Sequence, residues 1–391
     1  MAAPNMKADK SQHPLADTGK VLPGQGKHKS VGNRRHRQKH RQWLLRQRKK
    51  QMRIRMRIKR RANSGARRLS GLHLNAHTKT SVSSDKKSNI TVILPAVLDF
   101  DENYERTASH FAVLREAIQD NKRIRRIDFG GIQSISPSAA LVLASEVDRW
   151  NQQVGGRLKA DVSSWKDDIK RLLCQMGYFE LLHLDKPIEA WPAKNTTFLP
   201  FKRGQANSEN SGQLAKQLRM EIETIVEQRI KRHFLFEGLS EAMTNVGQHA
   251  YRDEIDNSRK QWWLSASYDE DEQKLCVTFY DQGDGIPKTL PRSGFFETVK
   301  DVFNTWTDSQ KIEAATQIGR SGSGLKERGK GLQNLVEFAK VHSVGKLTIY
   351  SLHGMYVQSY KNDGKKVMQT AARKDFDNSI GGTLIEWSVT L

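Results

Sequence analysis

The chain reads LCVTFYDQGDGIP over residues 275–287. Apolar and polar residues alternate through this stretch up to Tyr280, and this pattern predicts a strand. Asp281 stands at the end of that strand, where a carboxylate can accept a hydrogen bond from the amino group of an adenine-like base. Gly283 and Gly285 follow it, and residues without a Cβ let a ligand approach the backbone closely. The stretch therefore predicts a strand that ends in a binding loop.

A helix-like segment, EGLSEAMTNVGQHAY, precedes this strand over residues 237–251. Glu241, Asn245 and His249 are spaced i, i+4 and i+8, so a helix places them on one face. An asparagine oxygen can ligate Mg²⁺, and a glutamate one turn away can deprotonate a nucleophile. For His249 two interpretations stay open, a role in this site and a packing or capping role at the helix end.

A glycine-rich segment, GRSGSGLKERGKGL, covers residues 319–332 and leads into a predicted helix. Glycines before a helix N-terminus direct backbone N–H groups and the positive end of the helix dipole towards phosphates. Two sub-segments compete for this role, one with Gly322 and Gly324 and the other with Gly329, Lys330 and Gly331. We favour the second, because the helix follows it directly.

The order of these segments over about residues 211–391 resembles the N, G1 and G2 boxes of the GHKL superfamily of ATP-binding proteins, which includes histidine kinases, gyrase and Hsp90. The resemblance implies ATP and Mg²⁺ as cofactors and an α/β sandwich with helices on one face of a mixed sheet. It assigns the general base to Glu241, the Mg²⁺ ligand to Asn245 and adenine recognition to Asp281. Gly283 and Gly285 would lie beside the base, the glycine-rich segment beside the phosphates, and residues 288–328 would form a lid.

Strand and helix patterns alternate over residues 89–200, which predicts a first α/β domain. The expected strands cover 89–98, 123–129 and 157–162, and the expected helices cover 103–120, 137–150 with Pro137 in its first turn, and 164–184 with an interruption at Gly177. The polar residues 193–212 are expected to connect this domain to the next.

The segment IDFGGIQSISPSAALVL, residues 127–143, resembles the strand–turn–helix of STAS domains. That resemblance implies a phospho-acceptor at Ser138, because a serine at this helix start is the substrate of GHKL serine kinases of the anti-sigma class. Ser136, Pro137 and Ala139 depart from the family pattern, and the alternative is that Ser138 only caps the helix backbone.

The positive charge of the chain lies in its first part. Residues 1–90 contain 25 lysines and arginines and three acidic residues, whereas residues 91–391 contain 40 of each sign. Residues 1–88 are predicted to form a disordered basic arm and linker. Three interpretations stay open for the arm: a solvated tail, nucleic-acid binding through residues 27–68, or binding to an acidic membrane surface.

The sequence thus predicts an α/β (α+β) protein in three parts: the arm over 1–88, a STAS-like domain over 89–200 and a GHKL-type domain over 201–391. We expect a cytoplasmic location, because Cys174 and Cys276 lie in apolar runs without a disulfide pattern, and no secretory signal or spanning segment is evident. Two functions compete: an enzyme, either an ATPase or a protein serine or histidine kinase, and a nucleotide-gated, nucleic-acid-associated binding module. A protein partner is expected, and a homodimer is compatible with the sequence.

Deletion of residues 1–88 is predicted to remove most attraction for polyanions, because the charges of the remaining chain balance. The deletion should leave ATP binding intact, because the predicted ATP site lies within residues 201–391. The intact chain should bind duplex DNA or RNA more weakly as the salt concentration rises. A plot of log affinity against log salt concentration should fall with a slope of about 0.7–0.9 for each phosphate contacted. Titration of both chains with DNA, RNA and anionic vesicles across a salt series tests this. Equal binding of all three by the two chains would identify the arm as a solvated tail.

Overall fold

The computed structural model describes residues 83–84, 90–119, 124–154, 158–185, 195–205, 211–226, 232–251, 260–290, 305–317, 331–364 and 366–391. Residues 74–391 belong to one compact unit. Apart from a two-residue strand, β1 (Ser83–Ser84), the predicted basic arm lies outside the described residues, so its interpretations stay predictions. Among the helices in the described part of the chain, none is both long and apolar enough to cross a membrane.

Residues 90–185 form strands and helices that we call the N-terminal layer. Its strands are β2 (Ile90–Ile93), β3 (Val97–Leu98), β4 (Ile124–Asp128) and β5 (Ser134–Ile135), and its helices are α1 (Tyr104–Gln119), α2 (Pro137–Val154), α3 (Asp167–Gln175) and α4 (Tyr178–Leu181). β2 pairs with β4 in parallel, and so does β3 with β5, while β1 is antiparallel to β2. This arrangement agrees with the strand–helix alternation expected for residues 89–150.

The boundaries of α2 and α3 follow from local chemistry. Pro137 opens α2, where its missing N–H costs nothing, and the Ser136 hydroxyl accepts a hydrogen bond from the Ala139 N–H. Gly177 interrupts the last predicted helix with a φ of +94° and separates α3 from α4. The strand expected over residues 157–162 is wrong: a single bridge joins Arg126 to Lys159, and a 3-10 turn (Val162–Ser164) follows.

The rest of the described chain is built on a seven-stranded sheet. Its strands are β6 (Thr196–Gln205), β7 (Gln261–Asp269), β8 (Lys274–Asp281), β9 (Val344–Ser351), β10 (Gly354–Asn362), β11 (Val367–Asp375) and β12 (Thr383–Thr390). The accompanying helices are α5 (Ser211–Val226), α6 (Arg232–Asn245), α7 (Ile286–Thr289), α8 (Asp308–Gln317) and α9 (Gly331–Lys340). The strand order is β11-β10-β9-β12-β8-β7-β6.

This sheet corrects several expectations. The GHKL resemblance implies a mixed sheet, but every neighbouring pair is antiparallel, so the fold is α+β with a large antiparallel sheet. The polar connection expected over residues 193–212 instead contains β6, and the predicted domain boundary at 200/201 falls inside that strand. The β10–β11 hairpin is not predicted by the sequence, because β11 is exposed along its whole length and carries no apolar alternation.

The central strands of the sheet are covered on both faces. Successive side chains of a strand point to opposite faces, so Trp262 packs with α5, α6 and α9, while Trp263 packs with the N-terminal layer. Tyr280, Tyr350 and Leu384 join Trp263 on that second face. The N-terminal layer therefore lies against the face of the sheet opposite the helices.

Polar and aromatic contacts also join the N-terminal layer to the sheet and its loops. The Asp148 carboxylate on α2 accepts hydrogen bonds from the Trp263 indole at 2.9 Å and from Arg203 on β6 at 3.0 Å. On α1, Tyr104 stacks on Phe376 with ring centroids 3.6 Å apart. Because these contacts accompany a shared apolar core, α1 and α2 are held against the sheet.

Candidate functional site

The helix with the candidate base and metal ligand changes its winding at its end. Glu241 and Asn245 lie one turn apart on α6, and both side chains are half-buried. Burial raises the pKa of the Glu241 carboxyl above its usual value. The next five residues, Val246–Ala250, form a π-helical turn where the sequence predicts a continuous α-helix. His249 is exposed in this wider turn, and such turns occur frequently at functional sites.

Asp281 is the last residue of β8 and is only 5% exposed. β8 is an inner strand of the sheet, where Asp281 pairs with Trp262 on β7 and with Thr383 on β12. Burial raises the pKa of the Asp281 carboxyl to about 7, against the opposing effect of hydrogen bonds from the backbone of Gly283 and Thr383. The sheet thus ends in a buried acceptor that titrates near neutral pH.

The loop after Asp281 closes onto the end of the π turn. The N–H of Asp284 donates to the carbonyl of Ala250 at 2.6 Å, and the N–H of Gln282 donates to the Tyr251 hydroxyl at 3.2 Å. A Cβ on Gly283 would lie 2.3 Å from the Ala250 carbonyl oxygen, so only glycine permits this approach. The structure therefore brings together the first two predicted segments, the helix end and the D-x-G-x-G loop.

Gly285 has a φ of +81°, a conformation that favours glycine. A Cβ at Gly285 would lie 2.7 Å from the side chain of Leu352, and the adjacent N–H of Ile286 donates to the Ser351 hydroxyl at 2.9 Å. This glycine therefore turns the loop towards the end of β9. The two glycines of the motif are both required by close contacts, one on each side of the loop.

The third predicted segment is described only at its end. α9 (Gly331–Lys340) packs beside α6, where a Cβ on Gly238 would lie 3.0 Å from Leu335. Gly322, Gly324, Gly329 and Lys330 lie outside the described residues, so their phosphate-binding role stays a prediction. The helix after the glycine-rich segment and the helix with Glu241 are thus neighbours.

Part of the predicted lid is a packed helix. α8 lies inside residues 288–328, and its Ile312 and Thr316 are buried. Both the N–H and the hydroxyl of Ser309 donate to the Asp375 carboxylate at 2.9 Å. Over residues 308–317, the segment is therefore anchored to the end of β11.

Ser138, the predicted phospho-acceptor, is buried at the start of α2. Its hydroxyl lies 3.2 Å from the Ser136 hydroxyl and faces Glu386 on β12, a carboxyl whose pKa is raised by burial. Ser136, rather than Ser138, supplies the helix cap. A phosphate on Ser138 would stand beside the Glu386 carboxylate, so phosphorylation would require the N-terminal layer to move away from the sheet.

Sequence reasoning misses the residues that hold the loop. Tyr251 donates its hydroxyl proton to the carbonyl of Gln261 at 2.7 Å while it accepts from the N–H of Gln282. In the sequence pattern Gln282 is only a spacer between Asp281 and Gly283. The one signal for Tyr251 is that an aromatic residue closes the 237–251 segment, and it does not reveal a partner.

Asp281→Asn is predicted to be more stable than the wild type at pH 8. The folded protein keeps the Asp281 proton up to about pH 7, whereas the unfolded chain loses it near 3.8. Wild-type stability therefore falls between these values by about 1.4 kcal/mol per pH unit, and the asparagine side chain of the variant has no proton to lose. Urea unfolding at pH 4, 6 and 8 should show an advantage that grows with pH.

Asp269→Asn is the matched control, because Asp269 also ends a strand. Hydrogen bonds from Glu272 and Thr196 lower the pKa of Asp269, so this variant should be less stable than the wild type at pH 8 and equal to it in acid. A stability difference for Asp281→Asn that does not change with pH would contradict the burial of an ionisable group at this position.

Comparison with known proteins gives no family to which the chain can be assigned. The sequence matches no protein-family model, and a search of curated proteins finds no match. Any function proposed for this chain therefore rests on its own residues, their geometry and the resemblance of its three segments to the GHKL boxes.

Proposed function

We propose that the chain binds ATP with Mg²⁺ where the end of α6 and the loop after β8 meet, with the glycine-rich segment before α9 as the expected phosphate-binding element. The observation that carries this proposal is the buried Asp281 carboxylate at the end of an inner strand, beside a loop that Ala250 and Tyr251 hold in place. The Gly283 N–H already donates to one oxygen of this carboxylate at 2.8 Å, and a carboxylate has further lone pairs for a second donor. The exocyclic amino group of adenine would supply such a donor, and Gly283 and Gly285 let the loop turn closely around the carboxylate.

The residues of α6 fit the chemistry of a metal-bound phosphate chain. The Asn245 amide oxygen would hold Mg²⁺, an oxygen-preferring cation that neutralises phosphate charge when bound. Glu241 would accept the proton of a water or a hydroxyl nucleophile, and its raised pKa suits a base that works near neutral pH. These two side chains lie one helical turn apart, so one can bind the metal ion while the other accepts the proton.

ATP binding would act as a switch in a regulatory protein. Turnover by Glu241 would make the chain an ATPase or a protein kinase, and its absence would leave a nucleotide-gated binding module. Half-burial of Glu241 and its raised pKa favour the first function, because a simple surface glutamate would show neither.

Asp281→Asn is predicted to abolish ATP binding in calorimetric titration. The amide puts a donor where the adenine amino group needs an acceptor, or has to rotate to avoid it. Because this variant is expected to be the more stable protein at pH 8, loss of binding there cannot come from unfolding. Asp269→Asn, at the end of β7, should bind ATP as the wild type does, and unchanged affinity in Asp281→Asn would refute the proposed site.

Glu241→Ala is predicted to retain ATP but to lose hydrolysis or phosphate transfer by about 100- to 10,000-fold, the usual contribution of a general base. The phosphates would still be held by Asn245 and the glycine-rich segment. Glu237→Ala removes an exposed glutamate one turn earlier on the same helix and should change neither quantity. Wild-type turnover in Glu241→Ala would exclude Glu241 as the base, and a wild type without turnover would support the binding module.

A further inference from the structure

One face of α2 hydrogen-bonds the part of the sheet that ends in the candidate site. Ser145, Arg149 and Gln152 are spaced i, i+4 and i+7, so they lie on one face of this helix. Ser145 and Arg149 contact Gln282, the residue after Asp281, and Gln152 contacts Gln261 at the start of β7. The N-terminal layer therefore touches the loop from the side opposite α6.

The backbone and the side chain of Gln282 form hydrogen bonds on opposite sides of the loop. Its N–H donates to Tyr251 at the end of the π turn. Its side-chain oxygen accepts from Arg149 Nη1 at 2.9 Å, and its side-chain nitrogen donates to the Ser145 hydroxyl at 3.2 Å. Both ends of the amide are thus used by α2, and the loop is held from both faces of the sheet.

A second series of hydrogen bonds also connects α2 to Gln282. The Gln261 side chain donates to Gln152 on α2 at 2.7 Å, and the Gln261 carbonyl accepts from the Tyr251 hydroxyl. Tyr251 in turn accepts from the N–H of Gln282. The two connections from α2 therefore converge on Gln282.

Arg149 lies near a buried carboxyl on its own helix. Burial raises the pKa of the Glu146 carboxyl, three residues before Arg149, and the positive charges of Arg115 and Arg149 oppose this shift. Arg115 Nε lies 3.2 Å from the Glu146 carboxylate. A hydrogen bond from a charged donor is stronger than one between neutral groups. Arg149 is thus well suited to fix the position of Gln282.

We propose that Arg149 is a positioning residue that acts through Gln282 to hold the 281–285 loop in the shape that accepts a nucleotide. The N-terminal layer then sets the affinity of the site without touching the ligand. This inference rests on the proposed ATP site. Its physical reason is pre-organisation: a loop that is already ordered loses less conformational freedom when the ligand binds.

The experiment removes the donor of Arg149 while keeping most of the length of its side chain. Arg149→Met should raise the dissociation constant for ATP with Mg²⁺ about tenfold, the scale of one hydrogen bond to a charged group. In the nucleotide-free protein, amide hydrogen exchange at residues 282–285 should accelerate, while exchange in β9 should not change. Arg149→Lys keeps a charged donor and should restore part of the affinity.

Arg126→Met is the matched control, because Arg126 pairs with Asp161 at 3.4 Å on the exposed side of the same layer. It should leave both the affinity and the exchange of the loop unchanged. Gln282→Met removes the same contact from the loop side. The double variant Arg149→Met/Gln282→Met should bind ATP with the same affinity as Gln282→Met alone, because the effects of two changes to one contact do not add.

The outcomes separate the inference from the function on which it rests. A wild type that binds no adenine nucleotide would overturn the proposed function, and unchanged loop exchange in Arg149→Met would still overturn the positioning role. A wild type that binds, with an unchanged dissociation constant in Arg149→Met or with additive effects in the double variant, would overturn the inference alone. If Arg149→Met fails to fold, Gln282→Met, which leaves α2 intact, decides the same question.

Discussion

Strands β7 and β8 are buried on both faces, and the remaining structure is organised around that burial. Trp262 and Phe279 face α5, α6 and α9, whereas Trp263 and Tyr280 face the N-terminal layer. Burying a large apolar side chain contributes about 1.5–3 kcal/mol, so neither face can be left in water without a large loss. The sheet consequently needs both of its coverings, and each covering reaches the end of β8.

Double burial also explains the character of the candidate site. Asp281 lies at the end of a strand flanked by β7 and β12, and the helix end at Ala250 covers its loop. Water is therefore displaced from the carboxylate, which raises its pKa to about 7. A buried carboxyl that destabilises the fold at neutral pH is typical of a functional position, where strain and desolvation are tolerated for binding or catalysis.

The interface between the N-terminal layer and the sheet contains charged and polar groups as well as a core. Asp148, Glu146 and Ser138 all lie on the side of α2 that faces the sheet or its neighbours, and each has a polar or charged partner. Such groups are expensive to leave unpaired, so they restrict how α2 can sit on the sheet. This specificity places Arg149 opposite Gln282, whereas an apolar contact would tolerate sliding.

Local pattern predicts the elements that have a strong local signal. The alternation before Asp281, the proline that opens α2 and the glycine that separates α3 from α4 each act through the backbone of a few residues, and the structure contains all three features. β6 and β11 cannot be predicted in this way, because a polar strand is stabilised by its neighbours. Its own sequence carries no alternation of apolar and polar residues. The π turn at Val246–Ala250 is also beyond local reasoning, since its winding depends on the loop that packs against it.

The sequence by itself determined which residues are candidates for a site: a carboxylate at a strand end, two glycines after it, and a glutamate and an asparagine one turn apart on a helix. These follow from residue type and spacing, which act over a few positions. Only the tertiary structure decided that Asp281 is buried, that Ser138 faces Glu386 and that Arg149 holds Gln282 from 133 positions away. Burial and long-range hydrogen bonds depend on which surfaces pack together, and that choice is made by the whole apolar core at once.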